Sequence, residues 1–146
     1  MKYRAIVCPE LGPPEVLRVE EFDAPVLKPG EARVRIHSCG VNFPDLLMVA
    51  GKYQFKPELP FVPGFESAGE VIEVAEGATV KVGDRVVFRR KTGGFAEQGV
   101  AAPHELTPAP EHYSYDEAAT YSVGLVTSFH ALVTQGRLQR GKRVLI

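Results

Sequence analysis

The segment "CGVNFPDLLMVAGKY", residues 39–53, carries three side chains that hold ligands or move protons: Asn42, Asp45 and Tyr53. An asparagine amide offers donors and an acceptor. A carboxyl or phenol group can exchange a proton with a substrate, and a phenol ring can also stack on a flat ligand. Glu66 adds a second carboxylate soon after. Each has a structural use as well. Asp45 stands in the first turn of an expected helix, where the dipole favours an anion. Tyr53 has the make-up of a packed ring with a wet tip.

Metal chemistry finds little support in the spacing. Zinc is held by cysteine, histidine and carboxylate, commonly as C-x2-C or H-x3-H. Cys8, His37, Cys39, His104, His112 and His130 are instead scattered. His37 and Cys39 would share a face of a strand, but an exposed histidine beside a small buried cysteine is the commoner meaning of such a pair. Phosphate-loop chemistry also fails. "GRLQRGKR" (136–143) fits G-x4-G-K, yet Arg143 stands where Ser or Thr would hold magnesium, and the segment precedes a strand where a phosphate loop follows one. "GGFAEQG" lacks the lysine, and G-x-G-x-x-G does not occur.

The elements that must position these residues are mostly strands. Fourteen glycines and twelve prolines in 146 residues favour short strands and tight turns over a helical bundle. "YRAIVC", "VLRVEEF", "EARVRIHS", "GEVIEVAEGA", "GDRVVFRR" and "GGFAEQGVAA" read as strands. In "EARVRIHS", Ala32, Val34 and Ile36 take one face and Arg33, Arg35 and His37 the other, the mark of a half-buried strand. "PDLLMVAG" reads as a short helix with Pro44 in its first turn and Gly51 as a left-handed stop. "SYDE" (114–117) is a capping box that opens another helix. A further helix is expected from about Val123 to Gln135, with Val126, Phe129 and Val133 on one face and Gly136 closing it. "GKRVLI" reads as a last strand, Val144 to Ile146, with no partner after it, which points to a chain cut short of its sheet.

Composition bounds the function class. The formal net charge is −1, apolar residues make up 45% and charged residues 24%, so neither nucleic acid nor an anionic membrane is suggested. No apolar run spans a bilayer, and "MKYRAIVCPE" does not read as a signal peptide. The two cysteines are expected as free thiols in a cytoplasmic protein.

The order of "GPPEVL", "VRIHSCGVNFPDLLMVAGKY", "PFVPGFESAGEV", "VGDRVVF", "GGFAEQGV" and "EAATYSVGLVTSFHAL" resembles the N-terminal part of the medium-chain dehydrogenase/reductase superfamily, over nearly the whole chain. It is most similar to the zinc-independent NADPH:quinone oxidoreductase branch. In the zinc-dependent relatives, a cysteine ligand follows "G-V" and a histidine follows the glycine of "P-G-H-E". Here those positions hold Asn42 and Phe65, and the four-cysteine zinc loop is missing.

The resemblance implies a mainly β fold: a GroES-like, partly open β-barrel with short helices, cut before the Rossmann domain. Residues 1–122 would be the substrate domain. Residues 123–146 would be the connecting helix and the first strand of that second, dinucleotide-binding domain. It further implies Asn42 and Thr127 near NADPH, Tyr53 lining the substrate cleft as proton donor or positioning group, Glu66 in a structural role and no metal ligand. The whole protein would be a homodimer that passes hydride to a quinone or activated alkene. This chain alone would be inactive and bind NADPH weakly or not at all. A 2-enal or enoyl-thioester reductase and a stand-alone GroES-like binding module are the alternatives. The apolar face of the last helix would be covered by the second domain.

Overall fold

The computed structural model describes residues 1–145. β1 (Lys2–Val7) and β2 (Arg18–Asp23) form a two-stranded antiparallel sheet. β3 (Ala32–Gly40), β4 (Glu66–Val74), β5 (Arg85–Arg89), β6 (Gln98–Ala101) and β7 (Leu106–Pro108) form a five-stranded sheet in the order β6-β3-β4-β5-β7. The Ile6 N–H donates to Phe95 O at 2.8 Å and the Glu97 N–H to Arg4 O at 2.9 Å, so β1 leans on the segment that enters β6. The result is mainly β with two sheets and few helices, a barrel that does not close.

Period-2 patterning explains the core. On β5, Val86 and Phe88 face a cluster with Val34, Val71 and Leu106 inside the sheet curve, while Val87 faces Ala68, Ala118 and Ala119 on the outer side. Both faces of β5 are therefore buried, each fully covered valine contributing about 1.5–3 kcal/mol. Arg33 departs from the half-buried pattern of β3. It is only 4% exposed, and its guanidinium donates to Glu73 at 2.7 Å and to Pro25 O at 2.6 Å.

α1 (Phe43–Val49) starts and stops as the residues predict, with Pro44 in its first turn and Gly51 at φ 68° after it. α2 (Tyr115–Phe129) starts at the capping box: the Glu117 N–H donates to Ser114 Oγ at 3.2 Å and the Ser114 N–H to the Glu117 carboxylate at 2.8 Å. The expected break before Val123 is absent. α2 runs through and continues as a π-helical turn over His130–Gln135, because no proline interrupts it and Gly124 stands in open space. One glycine there costs a helix only about 1 kcal/mol. The position between residues 122 and 123 thus lies within one helix.

The expected strand at Val144–Ile146 is also corrected: Val144 and Leu145 pair with no strand among the described residues, and Ile146 lies outside them. Strand geometry needs a neighbour to take its N–H and C=O groups, and no described strand lies beside this segment.

Candidate functional site

The site is built where α2 lands on the end of β3. Gly40 permits that landing, since a Cβ there would sit 2.7 Å from Ala119 O and 3.0 Å from the Glu66 carboxylate. Close approach brings Ser122 and Val123 over Glu66, which is 1% exposed. The Ser122 hydroxyl donates to Glu66 Oε2 at 2.6 Å and the Val123 N–H at 2.9 Å. Asn42 Nδ2 donates to Glu66 Oε1 at 3.3 Å and to Gly40 O at 3.4 Å. Neutral donors alone serve this buried carboxylate; among the described residues it has no cation within 4.0 Å.

Asp45 ties the neighbouring loop to this knot. It is 2% exposed and accepts the Asn42 N–H at 2.8 Å and the Gly64 N–H at 3.0 Å. Burial raises its carboxyl pKa, against the lowering effect of those backbone donors. Gly64 sits at φ 107°, where a Cβ would meet the backbone of Gly94 and Phe95 at 2.6–2.8 Å. That crossing fixes Phe65 beside Glu66. Cys39, half-buried on β3, donates to the backbone carbonyl of Glu66 at 3.0 Å. Burial first, then the charges of Asp45 and Glu66, push its thiol up to about 12.

Above the knot opens a surface hollow of about 390 Å³, lined by Phe65, Arg89, Arg90, Lys91, Ser122, Val123, Val126 and Thr127. Of the residues singled out in the sequence, Thr127 lines it directly and is exposed. Asn42 and Tyr53 do not. Asn42 reaches it through Glu66 and Ser122. Tyr53 backs it through Phe65, the two rings meeting edge-on with centroids 5.8 Å apart. Both Asn42 donors turn inward, whereas Asn42 Oδ1 receives no hydrogen bond among the described residues. The amide therefore presents an acceptor, where its residue type alone offers both.

His37 and Cys39 do not make a ligand pair: His37 stacks on Tyr115 at 4.2 Å, and both cysteines are free thiols. No three His, Cys, Asp or Glu side chains gather among the described residues. Sequence reasoning missed Ser122, which it quoted within "EAATYSVGLVTSFHAL" without giving it a role, and the cations of "FRRK", visible as a run but not as part of a cleft.

The alcohol dehydrogenase GroES-like domain model matches residues 28–111. The chain belongs to that family. Its relatives extend the match across the whole length. Quinone oxidoreductase-like protein 2 homolog of Nematostella vectensis is 42% identical over 146 residues, 99% of this chain and 40% of that protein. Among solved structures, a probable oxidoreductase from Mycobacterium abscessus matches at TM-score 0.90 and 37% identity, over 97% of this chain and 46% of that one. Escherichia coli quinone oxidoreductase, solved with NADPH, matches at TM-score 0.83 and 29% identity, over 90% of this chain and 41% of that one. The GroES-like chain thus spans about two fifths of the curated relative it matches. The oxidoreductase kinship accords with a cleft formed beside the helix that follows the GroES-like region.

Proposed function

We propose that this chain is the substrate-side part of an NADPH-dependent reductase that works without zinc on a quinone or activated alkene. The observation that carries the reading is the hollow where Phe65, backed by Tyr53, faces Thr127, with the Asn42–Glu66 knot beneath. The two positions at which zinc-dependent relatives hold metal are here an amide whose nitrogen is committed to Glu66 and a packed benzyl ring. Neither is a zinc ligand.

The residues fit a nicotinamide carrier. Asn42 Oδ1 is free to accept from an amide or ribose hydroxyl, and the Thr127 hydroxyl stands exposed in the hollow. NADPH, when bound, supplies the hydride. Phe65 gives a flat apolar wall for the acceptor ring and helps exclude water. Tyr53 stands behind Phe65 and sets that ring against the acceptor; its hydroxyl, with no hydrogen bond among the described residues, would position or protonate a reduced substrate that reaches past Phe65. Residues 123–146 are read as the connection to a dinucleotide-binding domain. The support is the apolar face of α2 and its extension: Leu125, Val126, Phe129 and Val133 are each 45–60% exposed. Two free thiols accord with a cytoplasmic setting, and no described helix is long and apolar enough to cross a membrane.

The test is NADPH oxidation by the full-length protein with naphthoquinone as acceptor. Acceptor-dependent oxidation that phenanthroline leaves unchanged is expected. No oxidation with naphthoquinone or with an enal would refute the proposal.

A further inference from the structure

We infer that the hollow selects acceptors that carry an anionic group, held by Arg89 and Lys91. This rests on the reductase reading above and names its substrate class. Three consecutive cations, Arg89, Arg90 and Lys91, line one side of the hollow. Arg90 is already committed: it pairs with Glu105 at 3.0 Å and donates to Val100 O at 3.1 Å. Arg89 and Lys91 have no carboxylate within 4.0 Å among the described residues.

Arg89 has a carboxylate available in register yet unused. It is the cross-strand partner of Glu66, so both side chains leave the same face of the sheet. Glu66 spends its oxygens on Ser122, Val123 and Asn42 instead. Arg89 therefore keeps its charge for the hollow. Lys91 lies 4.6 Å over the Phe55 ring, and Phe55 shares a cluster with Tyr53 and Phe65. The ring steers the ammonium without neutralising it. An aromatic wall with two unpaired cations on its rim suits a flat, electron-poor ring bearing a carboxylate, sulfonate or phosphate ester.

Naphthoquinone and naphthoquinone sulfonate share a ring and differ by one anionic group. Calorimetric Kd values for both, with the full-length protein, test the inference. The unaltered protein should prefer the sulfonate by about tenfold at low salt and lose that preference as salt rises. Arg89→Gln/Lys91→Gln should bring the ratio near one, whereas Arg89→Lys/Lys91→Arg, which keeps the charges, should retain it. A ratio untouched by the Gln pair overturns the inference. So does a Gln pair that weakens only NADPH binding, since the cations would then serve the cofactor. Charge-dependent sulfonate binding without NADPH oxidation by either quinone would instead defeat the reductase reading and leave the anion site standing.

Discussion

Glu66 and Arg89 stand opposite each other on adjacent strands and share a sheet face, yet they live in different media. Glu66 is 1% exposed with its oxygens held by neutral donors; Arg89 is exposed and unpaired among the described residues. The carboxylate belongs to the architecture, because Ser122 and Val123 of α2 are fastened to the barrel through it. The guanidinium belongs to the cleft. Position in the ladder set neither role; the landing of α2 did, by supplying donors to the carboxylate and no acceptor to the guanidinium.

That contrast can be broken at the buried end first. Glu66→Ala leaves the Ser122 hydroxyl and the Val123 N–H without an acceptor and takes from the Asn42 amide one of its two. The full-length protein should lose about 3–5 kcal/mol in urea denaturation, and Glu66→Gln about 1–2 kcal/mol. Gly64→Ala forces a Cβ against the Gly94 backbone at φ 107° and should cost about 2–3 kcal/mol by the same measurement.

Cys39 sharpens the comparison through pH. The folded protein holds its thiol proton up to about 12. An unfolded thiol releases its proton near ~8.5. The native state thus binds the proton more tightly, so stability falls as pH rises above the unfolded value and toward the folded one. Cys39→Ala should flatten that alkaline decline in the urea midpoint, and Cys39 should alkylate far more slowly than a free thiol at mildly alkaline pH. At the exposed end, Arg89→Gln should shift stability by no more than about 0.5 kcal/mol. A large loss there would place Arg89 in the architecture with Glu66.

Local chemistry was readable from the residues. The Ser114–Glu117 box, the Gly51 stop and the first-turn place of Asp45 depend on neighbours within a few positions, and all three are present. The long-range parts were not. The inward turn of the Asn42 amide depends on Glu66, and the Gly64 crossing depends on Gly94. Periodicity cannot report either pairing. It also placed two helices where α2 and its π-helical turn run on without a break, because Gly124 weakens a helix without ending it. The apolar face of Val126, Phe129 and Val133 was legible and lies exposed, and nothing in those residues says what would cover it.

An organic hydride carrier working in this cleft without a metal is what we propose above. Elemental analysis and NADPH–naphthoquinone turnover on one sample of the full-length protein test it most directly. Turnover is expected at far below stoichiometric zinc, unchanged when zinc is added back. Turnover that tracks zinc content, with the ion bound beside Asn42 and Phe65, would contradict it.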